Sequence, residues 1–264
     1  MTRTGYAQIG DLRMYYEIDG DGRPLLLLHG AYMTVDMLGP LRAGLAARYQ
    51  VIAPELQGHG RTNDVDRPIT YEQHADDCAA LLEQLGIEEA DAVGYSMGGA
   101  AALQLAIRHP ARVRRLVVIS AGFRSDGQPQ EALDMFPTIT PELFKGSPME
   151  EAYLRLAPDP DHFPAFVAKM TENDSAEFAW PDHEIRGIAA PTLIVVGDSD
   201  GLRLEHAVEF FKLRGGGAFG DLSGLPSSQL AILPGTSHFV PPGRGMLDRS
   251  DWLLAMIPPF LDAD

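Results

Sequence analysis

The chain has 264 residues, a single cysteine, 45% hydrophobic and 22% charged residues, and a formal net charge of −16. That apolar content excludes a disordered chain, and Cys78, lacking a second cysteine to pair with, excludes a disulfide scaffold. A surface this acidic repels phosphate backbones and anionic lipid, so nucleic acid and membrane surfaces are not expected partners.

Two alternating stretches, 6–9 and 12–18, flank Gly10-Asp11 and predict an antiparallel hairpin. The start of the chain, broken by Arg3, Asp11 and Arg13, lacks the apolar run of a signal peptide, and no apolar run is long enough to span a bilayer. A cytoplasmic, reduced setting is expected. PLLLLHG (24–30) is apolar throughout, the pattern of a strand buried on both faces of a parallel sheet. A helical stretch over 35–47 and a second buried strand, YQVIAPEL (49–56), follow. Thr70-x-x-Gln73 is a capping box that opens a helix. Tyr71, Ala75, Cys78, Leu82 and Leu85 recur along it at helical spacing, which makes Cys78 a core residue rather than a reactive thiol. ADAVGYS (90–96) predicts a strand running into a helix over 97–109, which Pro110 stops. Strands are expected at 114–120, 191–198 and 228–235, with helices near 203–213 and 248–257. Strands alternating with helices imply a mostly parallel sheet with helices on both faces.

One segment interrupts the alternation. Residues 122–190 carry no strand signal and are cut by eight prolines into pieces that suit short helices. A segment of that length is expected to form a helical lid, dividing the chain into a core of residues 1–121 and 191–264 and a lid of residues 122–190. Most of its aromatic residues must pack the lid onto the core, with a few left to line a pocket.

GYSMG (94–98) fits G-x-S-x-G between a predicted strand and a predicted helix, the context that motif requires. The tight turn demands small residues at Gly94 and Gly98 and presents the Ser96 hydroxyl at a helix N-terminus, where negative charge is favoured. A hydroxyl needs a base to become a nucleophile. PGTSHF (234–239) supplies His238 directly after the last strand. Of the other histidines, His29 is expected to be a structural hydrogen bonder, and His59, His74, His109, His162, His183 and His206 to be mostly solvated. The base needs an acid to fix its tautomer. VVGDSDG (195–201) offers Asp198 and Asp200; Asp200, further into the loop, is better placed to reach a neighbouring loop, leaving Asp198 a turn or capping role. The chain order Ser96, Asp200, His238 follows.

Taken in order, the PLLLLHG strand, the ELQGHGRT loop (55–62), the GYSMGG elbow, G-x-x-D at 197–200 and GTSH at 235–238 resemble the α/β-hydrolase superfamily. The similarity is to its compact, lid-bearing serine hydrolases related to enol-lactonases, esterases and cofactor-free haloperoxidases. It implies the α/β-hydrolase fold, with a helical lid inserted after the sixth strand, and no cofactor or metal. It matches Asp200 to the family's acid and the backbone N–H groups of Ala31 and Met97 to the oxyanion hole. Glu55 departs from the Asp usual before the G-x-G loop, and residues 214–228 lengthen the link to the last strand. GGGAFG (215–220) satisfies G-x-G-x-x-G but follows a helix, so it does not read as a nucleotide site. The acid and His groups at 159–162 and 182–184 lack a metal-ligand spacing.

The leading expectation is hydrolysis of a carboxylic ester or lactone with an apolar or aromatic portion, through an acyl-enzyme on Ser96. Tyr32, Phe136, Trp180 and Phe239 are the candidate substrate-binding side chains. A carbon–carbon bond hydrolase of a diketo acid is the alternative. Against it, residues 122–190 hold 13 acidic and five basic residues, with Arg124 the one cation that would reverse the argument if buried. A ligand receptor on a hydrolase scaffold is the third reading. A small-molecule substrate and a monomer or homodimer are expected.

Overall fold

A computed structural model describes residues 2–240 and 242–263. The apolar runs do form buried strands: β1 (Arg3–Ile9), β2 (Leu12–Asp19), β3 (Pro24–Leu28), β4 (Gln50–Pro54), β5 (Ala90–Tyr95), β6 (Val113–Ile119), β7 (Thr192–Ser199) and β8 (Gln229–Ser237). They make one sheet in the order β1-β2-β4-β3-β5-β6-β7-β8. The β1–β2 hairpin and the β2–β4 pair are antiparallel, and every pair from β4 to β8 is parallel.

Because side chains alternate along a strand, each continuous apolar run supplies two faces. Leu26, Leu28, Ala92, Leu116, Val118 and Ile194 face one core, and Leu25, Leu27, Val93, Val117, Leu193 and Val195 the other. The first face is covered by α2 (Tyr71–Gln84) and α3 (Met97–Arg108), the second by α1 (Gly39–Ala46) and α10 (Ser250–Leu261). Cys78 lies fully buried in the first core. Each Leu or Val withdrawn from water in this way contributes about 1.5–3 kcal/mol before entropy is counted.

Two expected helices end differently. The stretch 35–47 is a 3-10 turn over Val35–Leu38 followed by α1, because Gly39 takes φ 31° and Pro40 follows it. The last helix runs on to Leu261 through Pro258 and Pro259, which lie in its final turn, where their missing N–H groups interrupt little of the helix.

Between β6 and β7 the chain folds as short pieces: α4 (Gln130–Met135), α5 (Pro148–Leu156), α6 (Phe163–Ser175) and α7 (Asp182–Gly187), with 3-10 turns between them. Its extended element is an isolated antiparallel bridge between Arg124 and Ala179. Tyr153, Phe163, Phe166 and Met170 are buried against the first core and fix the insert to the sheet. After β7 come α8 (Leu204–Leu213) and, within the long link 214–228, the single turn α9 (Gly220–Ser223). Among the described residues no helix is long and apolar enough to cross a membrane.

Candidate active site

The parallel strands end on one edge of the sheet, and the loops that leave them converge there. Ser96 follows β5, Asp200 follows β7 and His238 follows β8. Ser96 sits at φ 55°, ψ −123°, a conformation that L-residues avoid, and its N–H donates to the Ile119 carbonyl at 2.8 Å. The turn is possible only because its neighbours lack side chains. A Cβ on Gly94 would stand 2.1 Å from the Gly98 carbonyl oxygen, and one on Gly98 2.5 Å from the carbonyl oxygens of Leu28 and His29.

The Ser96 hydroxyl lies 2.9 Å from His238 Nε2, and His238 Nδ1 lies 2.7 Å from Asp200 Oδ1. An ionised carboxylate only accepts, so Nδ1 carries the ring proton and Nε2 is free to accept from Ser96. The Asp200 side chain is 0% exposed. Burial by itself would raise its pKa, but the His238 hydrogen bond and charge, joined by the Ser120 hydroxyl and the Gly197 N–H, hold it below the usual carboxylate range. The Gly201 N–H adds a further bond at 2.7 Å. Asp198 is exposed and takes the bonding role left to it, accepting from the N–H groups of Gly235 and Thr236.

Two supports were not legible in the sequence. Ser120, at φ 55° after β6, aims its hydroxyl at Asp200. Tyr95 stacks on His238, and its hydroxyl donates to the His238 carbonyl at 2.7 Å. Each is a polar residue at the end of a strand beside the elbow, and that position is the one sequence signal they share.

Met97 opens α3, so its N–H has no carbonyl one turn earlier to bond. Ala31 follows β3, and both residues line the cavity that holds Ser96. The neighbouring Tyr32 is held at φ 60°, its N–H donating to His59 Nε2 at 3.1 Å.

His59, His74 and His206 are buried and not solvated as expected, and they join His29, the expected structural hydrogen bonder. His29, His59, His74 and His206 are each no more than 1% exposed. Loop and helix labels do not reveal burial when a segment distant in the chain covers them: Phe166 packs edge-on against His59, and Phe123 stacks on His206. His29 Nε2 accepts from Leu56 N–H and His206 Nε2 from Phe123 N–H, which keeps both rings neutral. Burial pushes His29 and His206 down to about 4 and His74 to about 3. Glu55 is also buried; desolvation raises it to about 7, against the N–H and guanidinium of Arg61, which it accepts from.

The cavity over Ser96 measures about 360 Å³ and is walled mainly by apolar side chains, among them Met97, Met135, Phe136, Ile139, Met149 and Phe178. Tyr32 and Phe239 line it as well. Trp180 does not. It is buried between Tyr71 and Phe178 and donates from Nε1 to Glu72 at 2.9 Å, so the indole's polar edge draws it into the core, and Phe178 takes the wall position instead. Arg124 stays outside too, paired with Glu209 and Asp126 on an outer cleft. Asp159 caps a turn, and His162 of the same acidic stretch pairs with Asp64.

With this fold and geometry in view, a family model described as alpha/beta hydrolase fold matches residues 23–181, more than half of the chain. The chain belongs to the α/β-hydrolase family. It is 35% identical over 153 residues to RutD of Azorhizobium caulinodans, provisionally named a carbamate hydrolase, a match covering 58% of this chain and 56% of that one. Over 108 residues it is 43% identical to the 2-hydroxymuconate semialdehyde hydrolase of Pseudomonas sp. strain CF600, covering 39% of this chain and 38% of the relative. These matches therefore span little more than half of the relatives' length, or less. In three dimensions it is similar to the enol-lactonase of Burkholderia xenovorans LB400, with TM-score 0.70, 20% identity and 98% and 100% of the two chains covered, a likeness of fold.

Proposed function

We propose that the protein is a serine hydrolase that cleaves a carboxylic ester or lactone through an acyl-enzyme. The observation that carries this reading is the unbroken hydrogen-bonded chain from Ser96 through His238 to buried Asp200, opening into an apolar cavity. Ser96 Oγ attacks the carbonyl carbon while His238 Nε2 takes its proton, and Asp200 stabilises the imidazolium that forms. The oxyanion is held by the N–H groups of Ala31 and Met97, donors of a kind worth about 3 kcal/mol each. His238 returns the proton to the departing alkoxide; water then attacks the acyl carbon by the same route, giving the acid and free Ser96. The insert between β6 and β7 acts as the lid that dries this space.

Cleavage of a carbon–carbon bond in a diketo acid is the second reading, favoured by the 43% identity to a semialdehyde hydrolase over part of the chain. A carboxylate-bearing substrate wants a cation in the pocket. Among the described residues lining the cavity there is no Lys or Arg, and Arg124 is engaged elsewhere, which favours the ester or lactone.

Incubation with a fluorophosphonate followed by intact-mass measurement tests the proposal. One adduct on the wild type and none on Ser96→Ala is the expected result, with turnover of aryl and alkyl esters or lactones following. No adduct, with tight ligand binding retained, would move a receptor role to first place.

A further inference from the structure

Most polar groups on the cavity wall are already committed to one another. Ser96, His238 and Ser120 belong to the chain ending at Asp200, and the Tyr95 hydroxyl is taken by the His238 carbonyl. Three further polar groups of the wall, Tyr32, Tyr71 and Asp174, stand outside that network, as does Gln128 of the insert. The Tyr32 hydroxyl is fully enclosed and makes no hydrogen bond of good geometry, with Thr171 and Asp174 facing it. Asp174, near the end of α6, lines the cavity and also the polar cleft outside it. Its own polar neighbour on the helix, Asn173, donates only a long bond of 3.4 Å. Tyr71, from α2, completes the group.

Among the described residues no cation pairs with Asp174: Arg124, which shares the outer cleft with it, is taken by Glu209 and Asp126. The nearby basic residue of α6, Lys169, is bound to Asp64 and the Val65 carbonyl. Burial raises the Asp174 carboxyl to about 6, with the Asn173 and Tyr32 contacts opposing. On the cavity side the titratable groups that face it are Tyr32 and Tyr71, both pushed upward by burial and neutral at ordinary pH; Arg124, Asp126, Asp134 and Glu177 share its outer cleft. An acceptor in an apolar cavity with an orphaned hydroxyl beside it is a group short of a partner, and desolvated acceptors gain most from a donor that a ligand brings.

We propose that Asp174 and Tyr32 form a specificity subsite that receives a hydrogen-bond donor, an ammonium, amide N–H or hydroxyl, at the end of the substrate remote from the bond cleaved, and that rejects a carboxylate there. The proposal rests on the ester or lactone reading for its chemistry, but the subsite itself is a matter of binding. Tyr32 anchors it: His59 fixes the Tyr32 backbone beside Ala31, so one short segment joins the remote subsite to the reacting carbonyl.

A series of esters sharing one acyl chain and ending in methyl, ammonium, carboxamide, hydroxyl or carboxylate reads the preference through kcat/KM. The ammonium, carboxamide and hydroxyl arms identify which donor is preferred. Donor-ended esters are expected to exceed the carboxylate-ended one by tenfold or more, the worth of a hydrogen bond to a charged group. Asp174→Asn should remove the ammonium advantage over methyl, the change falling in KM and not in kcat. The ammonium-to-methyl ratio should also fall as pH drops through about 6. The matching methyl ketones, bound by calorimetry, report the same order without turnover. Esters hydrolysed at equal rates whatever their ending, or a ratio unchanged in Asp174→Asn, overturns the subsite alone. Ketones that bind in the expected order while no ester is cleaved and Ser96 stays unlabelled would overturn the hydrolase reading and leave the subsite standing.

Discussion

Tyr95 and His238 are stacked, ring centroids 5.2 Å apart and planes 27° from parallel, and the Tyr95 hydroxyl donates to the carbonyl of the very residue its ring supports. The loop after β8 is thus held from beneath by the strand that carries Ser96. Tyr95→Phe keeps the stack and loses the bond. Its kcat on an aryl ester should fall roughly fivefold, the equivalent of one neutral hydrogen bond, with KM unchanged. An unaltered kcat would mean that the loop needs no such support.

Asp200 is buried and accepts from His238, Ser120, Gly197 and Gly201. Asp200→Asn leaves the shape but offers an amide where Nδ1–H requires an acceptor, so kcat should drop by about 10⁴. Ser120→Ala removes one donor of several and should cost only about tenfold. The proposed role of Asp200 predicts that order; equal losses in the two variants would contradict it.

His74 is buried with neither ring nitrogen partnered. Burial, assisted by His29 and Arg67, lowers its pKa to about 3 from the 6.5 of an exposed ring. Between those values the unfolded chain binds the proton and the folded chain does not, so the His74 contribution to stability is lost as pH falls below 6.5. His74→Leu escapes this. Its stability relative to wild type should improve by up to about 1.4 kcal/mol per pH unit below 6.5, read as denaturant midpoints at pH 7 and pH 5. A constant difference between the two pH values would show His74 to be solvated in the folded state.

Trp180 and Phe178 touch, yet only Phe178 reaches the cavity. Trp180→Phe loses the bond to Glu72 and should lower stability by about 1–2 kcal/mol while leaving kcat/KM within twofold. Phe178→Ala should raise KM for an aromatic ester roughly tenfold, through lost apolar contact. Thermal melts beside steady-state kinetics separate the two effects.

The order of strands and helices was legible because each apolar run is continuous, a pattern that a parallel sheet buried on both faces requires. The elbow was legible because its constraint is local: Gly94 and Gly98 are small for reasons set within five residues. Asp200 and His238 were found by motif and chain order, and their meeting with Ser96 follows from neighbouring strands ending on one edge. What the sequence left open depended on segments distant in the chain. Whether His59 and His206 meet water is decided by Phe166 and Phe123, and no local pattern reports that cover. Trp180 was misplaced for the same reason, since the Glu72 carboxylate that draws its indole inward lies 108 residues away. The sequence by itself determined the layers, the elbow and the chemical groups at the strand ends, because these follow from short-range periodicity and sterics. Tertiary structure decided that Phe178 and not Trp180 walls the cavity and that, among the described residues, Asp174 has no cation paired with it, because burial and charge pairing are properties of everything that packs around a residue and not of its neighbours in the chain.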